Sequence, residues 1–564
     1  MRHLCVIAFA LAACGPSKVS HGGGDASSGD DSSGPLPHTL VSLSVTPLNP
    51  LLELDLNTPA LQGFTVTGSY ADDTQEDLTA QATWAVANPA VGAMTAAALS
   101  VPGFTVATAV TSKITATVDN LDGIAQITIV AHRPQDFFFI LPYQDTAGTM
   151  TRPLTFATTV PALDVFFLMD VTGSMAGEIN ALQTALTGTI IPGVQTAVAN
   201  SQFGVGAMAD FPLSPYGTAN CDQPFMLKQT ITPTTSLVST GVASLSSGPG
   251  TPIGCGNDLP EGGFESIYQA ATGEGLTGPS PTSVPANHTG VGGVGFRAGT
   301  MPVIVAITDA PSHGVGETTT CNSASNAYAG TVATFAHSRA QTKTALAGIC
   351  ARTVGIAAIP TTNSCNGVEY LTDLSTSTGA RVPPVAWDFT GTRPTGCATG
   401  QCCTGQNGVG QAPDGNGLCP LVFLATSTGS GVSASVVTGI QMLTRFATFD
   451  VTRVAMGVTT DVNGVALPAG HTTADFLKAI VPATFVLPPP PPVLPNPTMD
   501  ATTFHNVTPG TQVGFNVDAF NDFIPQTSDA QIFHATIQVL AGGCTPLDQR
   551  DVIILVPPAP VVIN

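Results

Sequence analysis

The sequence predicts a multi-domain chain in which a central α/β unit, a doubly wound parallel sheet, is flanked by β-sandwich domains. Three observations predict this fold class. The length of 564 residues allows about three to four domains. Both outer parts of the chain show the apolar–polar alternation of strands, separated by turn residues. In the middle, short apolar runs alternate with helical patterns, which is typical of a parallel sheet covered by helices.

The N-terminus predicts export. Arg2 precedes a short apolar stretch, Leu4 to Ala13, that is too short to span a bilayer. The stretch ends in Leu-Ala-Ala-Cys and resembles a bacterial lipobox, which implies a signal peptide over residues 1–13 and a lipid on Cys14. The alternative is an ordinary signal peptide with an incidental cysteine. We expect a lipid-anchored protein of the bacterial outer membrane or cell surface.

Residues 14–38 are rich in Gly, Ser and Asp. Such a segment buries too little apolar surface to fold, so we predict a disordered tether that holds the folded part off the membrane. Residues 39–132 then alternate as short strands and predict a small β-sandwich. The segments around Tyr70 and Trp84 resemble bacterial Ig-like domains of group 2, and this resemblance implies a spacer.

Charge and cysteine content indicate which partners and which covalent bonds to expect. Acidic residues outnumber basic ones 37 to 16, and this balance argues against nucleic acid as a partner. It suits cations, although solubility alone also explains it. Apart from Cys5 and Cys14, ten cysteines remain, and an even number in an exported chain predicts disulfides of open connectivity. Four of them cluster over 397–419, but a zinc site is disfavoured because the cluster has no C-x-x-C pair and no nearby His.

The middle segment, residues 150–445, carries the pattern of the parallel sheet. A helical face lies between the first two apolar runs, because Ile179, Leu182, Leu186 and Ile190 recur at helical spacing. Folds of this class bind ligands at the carboxyl ends of their strands. The apolar runs that predict strands are 165–169, 203–208, 303–307, 354–359 and 421–424.

The loop after the first of these runs carries the chemistry. Asp170, Thr172 and Ser174 follow one another at every second position. A carboxylate and two hydroxyls form a hard oxygen site of the kind that Mg²⁺ prefers. A capped turn at the start of a helix is the alternative interpretation of the same residues.

The motif Asp-Val-Thr-Gly-Ser at 170–174 resembles the metal-ion-dependent adhesion site of von Willebrand factor A-type domains. The third apolar run ends in Thr308-Asp309, which resembles the second acidic element of that family. Four ordered segments resemble the ligand-binding domain of integrin β subunits, namely 164–170, 203–206, 210–216 and 258–264. The resemblance implies an adhesion site that holds Mg²⁺ or Mn²⁺ through Asp170, Thr172, Ser174, Glu261 and Asp309.

The same resemblance implies flanking Ca²⁺ sites. Asp210 and Asp258 match two ligands of one such site, although Gly256 stands where the family has Asn. Turn and capping roles are the alternative for these two residues. The second flanking site uses adjacent acidic residues, and here the pair is Gly177 and Glu178, so only Glu178 matches.

The sequence contains none of the common motifs for nucleotide binding, zinc proteolysis or serine hydrolysis. No lysine follows a glycine, which excludes a P-loop, and neither H-E-x-x-H nor G-x-S-x-G occurs. We therefore expect no enzyme. The last part, 446–564, alternates as strands around a polyproline stretch at 488–492 and predicts a second β-sandwich.

Together these features predict a surface lipoprotein that binds the carboxylate of a protein or glycan partner through the metal. The alternative is a structural or assembly component of the cell envelope in which the metal only stabilises the domain.

Overall fold

The computed structural model describes residues 37–106, 108–134, 137–248, 250–321, 323–359, 365–388, 393–488 and 495–559. The predicted signal peptide, Cys14 with its lipid, nearly all of the tether and most of the polyproline stretch lie outside these residues. The chain divides into two compact units, one ending at Ala131 and the other beginning at His132. Within the described ranges, no helix is long and apolar enough to cross a bilayer.

The first unit is built of strands around one apolar core, which includes Val66, Ile114 and Ile127. Its sheets have the orders β1-β4-β5, β2-β10-β9-β6 and β3-β8-β7. The hairpin of β9 and β10 turns at Asp119 and Asn120, which both adopt the positive φ that a two-residue hairpin turn requires. The strands are β1 Leu40–Thr46, β2 Leu51–Asp55, β3 Ala60–Gly63, β4 Thr65–Tyr70, β5 Gln75–Asp77, β6 Thr83–Val86, β7 Ala93–Thr95, β8 Ala98–Val101, β9 Thr108–Val118 and β10 Leu121–His132.

The second unit begins with two strands and continues into a segment of alternating strands and helices. A π-helical turn at Leu186–Ile190 joins the first two helices into one continuous helix. The elements are β11 Phe137–Ile140, β12 Met150–Ala157, β13 Leu163–Asp170, α1 Ala176–Ala185, α2 Ile191–Ala197, β14 Ser201–Met208, β15 Met226–Thr232, α3 Thr235–Ala243, β16 Ser246–Gly248, β17 Thr251–Pro252, α4 Gly263–Thr272, β18 Met301–Thr308, β19 Thr320–Cys321, β20 Ala324–Ser325, α5 Arg339–Gly348, β21 Arg352–Ile359, α6 Val368–Ser377, β22 Arg381–Val382, β23 Cys419–Pro420, β24 Val422–Thr426 and α7 Val432–Phe446.

The unit ends in seven further strands. They are β25 Phe449–Gly457, β26 Leu477–Val486, β27 Thr498–Met499, β28 Phe504–Val507, β29 Gln512–Ala519, β30 Gln531–Ala541 and β31 Thr545–Val556.

The five apolar runs predicted from sequence are confirmed as strands of one six-stranded sheet, ordered β15-β14-β13-β18-β21-β24. Side chains of β13 alternate between two cores, as the period of a strand requires. Phe167 lies in a core with Ile179 of α1, whereas Phe166 lies in another with Phe264 of α4. The predicted helical face is also confirmed, because its four residues from Ile179 to Ile190 are buried.

The predicted fold class is nevertheless wrong. Strands hold 39% of the described residues and helices 19%, so this part of the chain is mostly β rather than α/β. Most strand pairs are antiparallel, and the six-stranded sheet itself is mixed because β15 runs antiparallel to β14. The segment between these two strands, 209–225, forms no helix and turns the chain back, and such a connection gives an antiparallel neighbour. A wholly parallel, doubly wound sheet is therefore not the architecture of this protein.

The C-terminal strands share their sheets with residues that precede the six-stranded sheet. In the order β11-β31-β30-β25-β28-β27, β11 pairs parallel to β31. In the order β12-β29-β26, β12 pairs antiparallel to β29. Phe156 of β12 packs edge-on against Phe515 of β29, with ring centroids 5.9 Å apart. The segment predicted as a β-sandwich over 446–564 thus includes strands from 137–157 in both of its sheets.

The prediction of disulfides is confirmed. All ten cysteines after Cys14 are paired, and all the pairs lie in the second unit. One pair links Cys350, two residues after the end of α5, to the turn between β30 and β31, 194 residues away. The four clustered cysteines form two disulfides with each other and so provide no thiolates for zinc. The pairs are Cys221–Cys255, Cys321–Cys365, Cys350–Cys544, Cys397–Cys403 and Cys402–Cys419.

Candidate metal centre

The carboxyl ends of β13 and β18 bring two of the predicted ligands to one edge of the sheet. The strands are parallel, with Met169 opposite Ile307. Asp170 is the last residue of β13, and Asp309 follows directly after β18. The register therefore places both carboxylates on neighbouring strand ends, as the sequence predicts.

Asp170 is fully buried and both of its carboxylate oxygens accept hydrogen bonds. The hydroxyl of Thr172 donates to Oδ1 at 2.7 Å, and its backbone N–H donates to the same oxygen at 3.0 Å. The hydroxyl of Thr308 donates to Oδ2 at 2.7 Å. Thr308 was not predicted from the sequence, because its place opposite Asp170 depends on the register of two strands that are far apart in the chain.

Four of the five predicted ligands line one cavity of about 420 Å³, and one of them, Thr172, is hydrogen-bonded to the fifth, Asp170. They are Thr172, Ser174, Glu261 and Asp309. The hydroxyl of Ser174 lies close enough to the Asp309 carboxylate to lower the pKa of Asp309, against the larger raising effect of burial. Oxygen atoms from three separate segments of the chain thus converge on one opening at the surface.

The charge of this centre is not compensated. Burial raises the pKa of Asp170 to about 7, and the Asp309 carboxylate adds to the effect. Burial and the Asp170 carboxylate hold the pKa of Glu261 well above its usual range, and burial also raises that of Asp309. The cavity is lined by no Lys or Arg among the described residues. A divalent cation there would replace this repulsion with attraction.

Glu261 lines the cavity from a loop whose backbone is held by a buried carboxylate. Its side chain is 4% exposed, and Oε2 has no hydrogen-bond partner among the described residues. The buried Asp222 carboxylate holds the preceding part of the loop, since it accepts from the N–H groups of Cys255 at 2.7 Å and Gly256 at 3.1 Å. Gly256 adopts a φ of 67°, where a side chain would be strained. Sequence reasoning missed Asp222, which lies beside the disulfide-bonded Cys221.

Glu178 lies in the first turn of α1 and is fully buried outside the lining of the cavity. Burial raises its pKa to about 7, and the Asp309 and Asp170 carboxylates add to this. The N–H of Gly429 lies close enough to lower that pKa, but neither carboxylate oxygen makes a well-formed hydrogen bond to a described residue. Glu178, the predicted flanking ligand, is thus a further buried acid near the centre, and its carboxylate has no hydrogen-bond partner among the described residues.

Asp210, Asp258 and His313 form a group whose ligand atoms lie within 4.8 Å of one another. Nδ1 of His313 lies 2.6 Å from Asp210 Oδ2, and its Nε2 lies 3.6 Å from Asp258 Oδ2. Burial alone would lower the pKa of His313, but the two carboxylates raise it above its usual value. Tyr328 donates to Asp210 Oδ1 at 2.5 Å. Both oxygens of Asp210 therefore already have partners, whereas Oδ1 of Asp258 has none among the described residues.

The geometry of this group differs from the predicted calcium site. Sequence reasoning placed Asp210 and Asp258 together, and the structure does so. It missed His313, whose only signal was its position four residues after Asp309. The group offers two carboxylates and one imidazole, so a metal bound there would have a mixed oxygen and nitrogen set of ligands.

Comparison with known proteins identifies no family for this chain. No family model matches it, and no curated protein matches it. Among solved structures it is similar to the pilus adhesin SpaC from Lactobacillus rhamnosus GG in its open conformation, with 12% identity and a TM-score of 0.26. The match covers 79% of this chain and 51% of that adhesin, so the chain spans about half its length.

Proposed function

We propose that this protein is exported and binds an acidic partner through a divalent cation. Asp170, Thr172, Ser174, Glu261 and Asp309 would hold the cation, with Mg²⁺ or Mn²⁺ as the ion. The partner would contribute a carboxylate from a protein or a glycan. Lipid attachment at Cys14 and flanking Ca²⁺ near Glu178 or Asp258 are part of the same proposal.

One observation carries this proposal: Glu261 is buried beside Asp170 and Asp309, and one of its oxygens has no hydrogen-bond partner in the described residues. An unpaired buried carboxylate is costly, and buried charges are normally paired or coordinate a metal. Carboxylate and hydroxyl oxygens are the ligands of Mg²⁺, which also keeps open positions for water or another ligand. Ser174 is exposed, so an open position on its side would be accessible to a partner.

Export is supported by the disulfides. Five of them occur in the second unit, and such bonds persist in oxidising compartments outside the cytosol. An exported binding protein is therefore consistent with both the covalent framework and the N-terminal sequence.

Thermal melting of the full chain tests the metal site. After removal of metal, excess Mg²⁺ or Mn²⁺ should raise the Tm by about 3 °C or more if the ion reaches about 100 times its Kd. Asp170→Asn should abolish the shift. Asp55→Asn, at an exposed position in the first unit, should keep it. Equal shifts in wild type and Asp170→Asn would contradict the assignment of the ligands.

Binding to polyglutamate and to hyaluronate then tests the partner chemistry, because one probe offers protein carboxylates and the other glycan carboxylates. We expect binding of at least one probe with Mg²⁺, and loss of that binding with EDTA or in Asp170→Asn. A metal-dependent Tm shift without binding of either probe would favour the structural alternative, in which the ion only stabilises the envelope component.

A further inference from the structure

A second cavity lies at the opposite end of the six-stranded sheet, beside the Cys350–Cys544 disulfide. Its volume is about 360 Å³, within the range of small-ligand pockets. Met301, at the start of β18, and Arg352, at the start of β21, line it, so it opens at the amino ends of the strands. Residues of β25 and of the turn after β30 close its other side.

Three cationic side chains line this cavity, namely Lys343, Arg352 and Arg381. The whole chain has only 16 Lys and Arg residues and a formal net charge of −21. The acidic side chain in the lining, Asp450, is already engaged by His505, with Oδ2 3.0 Å from Nδ1. The cavity is therefore a concentration of positive charge in an acidic protein.

Arg352 has no ion-pair partner in the part of the chain that the structure describes. Its Nη1 donates to the backbone oxygen of Thr378 at 2.5 Å, at the end of α6, and no carboxylate among the described residues forms an ion pair with its guanidinium. Burial lowers the pKa of Arg352 to about 10, while the Asp450 carboxylate opposes this shift. Capping of α6 accounts for one of the five donors of this side chain, which leaves further N–H groups for a ligand.

Arg381 is also incompletely paired. Its Nη1 lies 3.4 Å from Asp414 Oδ2, which is a long contact, and its buried Nε has no hydrogen-bond partner among the described residues. Lys343 differs, since its Nζ lies 2.6 Å from Asp373 Oδ1. Both arginines thus line one cavity, and each has donors that the described residues do not use. Guanidinium groups match the oxygens of carboxylates and phosphates.

We propose that this cavity binds a small multivalent oxyanion, either a polycarboxylate or a phosphate compound, between Arg352 and Arg381. The ligand would accept hydrogen bonds from both guanidinium groups, and Lys343 would add to the attraction. This site is independent of the metal centre, because it uses other residues at the other end of the sheet.

Isothermal titration calorimetry of the full chain with citrate and with inorganic phosphate tests this proposal. The buffer should be freed of metal with a chelating resin, since EDTA is itself a polycarboxylate. We expect one site per chain. Arg352→Gln and Arg381→Gln should each weaken binding about tenfold to a hundredfold, whereas Arg445→Gln, at an exposed position on α7, should bind like wild type.

The results of the titration either identify the class of ligand or exclude the site. Binding of citrate alone assigns a polycarboxylate, and binding of phosphate alone assigns a phosphate compound. If circular dichroism shows that Arg352→Gln does not fold, Arg381→Gln carries the test. No binding of either probe by wild type up to about 10 mM, or wild-type affinity in both folded arginine variants, would overturn the proposal. Binding that persists in Asp170→Asn would separate this site from the metal centre.

Discussion

Burial of acids around Asp170 gives the metal-free protein a pH dependence with a defined sign. The native pKa of Asp170, about 7, lies above the usual value of 3.8. Burial raises the pKa of Glu178 to about 7 in the same way. A raised pKa means that the native state binds more protons than the unfolded state between the two values. The stability that these acids contribute is therefore complete at low pH and is lost as the pH rises toward 7.

We expect the Tm of the metal-free full chain to fall between about pH 5 and about pH 8. Saturating Mg²⁺ should reduce this slope, because the cation favours the ionised carboxylates. Asp170→Asn should also reduce it in metal-free buffer. A Tm that rises over this range without metal would show that these carboxylates are paired in the native state.

At the scale of single residues, the sequence located candidate oxygen donors better than it described their surroundings. Asp309 followed from the resemblance to A-type domains, whereas Asp170 and Thr172 could be predicted from local motif spacing. His313 and Thr308 could not, since their contacts with Asp210 and Asp170 depend on how separate segments pack. Local patterns contain no information about such long-range hydrogen bonds.

At the scale of elements, the buried Asp222 side chain holds the loop that precedes Glu261, together with the Cys221–Cys255 disulfide. Asp222 accepts hydrogen bonds from Cys255, Gly256 and Thr218. We expect Asp222→Ala to lower the free energy of unfolding by about 2–3 kcal/mol, because backbone donors lose a charged partner. It should also weaken Mg²⁺ binding about tenfold or more, because the loop no longer holds Glu261 in place.

Chemical denaturation and calorimetric Mg²⁺ titration measure the two effects. Asp222→Asn serves as the control, since it keeps one oxygen acceptor and should lose less of both. If the alanine variant bound Mg²⁺ as wild type does, the loop would not position the ligand.

The first turn of α1 packs against the loop between β24 and α7 at Gly177. A Cβ added there would lie 2.7 Å from the carbonyl carbon of Thr428, so the backbone would have to move. This close approach explains why position 177 is a glycine. We expect Gly177→Ala to lower the free energy of unfolding by about 1–3 kcal/mol in urea.

Gly188 is the matched control in the same continuous helix, because it is exposed and a Cβ there would meet no atom within 4 Å. Gly188→Ala should be neutral or stabilise by up to about 1 kcal/mol. Equal destabilisation by both substitutions would show that helix conformation, rather than the close approach to Thr428, sets the requirement for glycine.

Strands with a strong apolar pattern could be predicted from the sequence, but whether neighbouring strands run parallel or antiparallel could not. The runs at 165–169 and 303–307 are strands, as their length and apolar character indicated. The antiparallel edge strand Met226–Thr232 lacked such a signal, because it has intermediate burial throughout and no strict alternation. The fold class was wrong for this reason and because strands outside the central sheet dominate the chain.

At the scale of the whole molecule, the Cys350–Cys544 disulfide closes the longest loop, with a separation of 194 residues. In the chain-entropy model, its removal costs up to about 5 kcal/mol, compared with about 2 kcal/mol for Cys397–Cys403 with a separation of 6. We expect paired Cys→Ser substitutions to follow this order in chemical denaturation. The reverse order would show that the long loop is already compact in the unfolded chain.

The pairing of β12 with β29 has a consequence for biogenesis. About 355 residues separate the end of β12 from the start of β29, its partner strand. At ribosomal rates of about 5–20 residues per second, β12 is complete roughly 18–70 s before β29 begins to be made. During that interval its apolar residues Leu154 and Phe156 have no partner strand. A chaperone that shields this nascent segment would therefore decide how much of the protein reaches its native state rather than an aggregate.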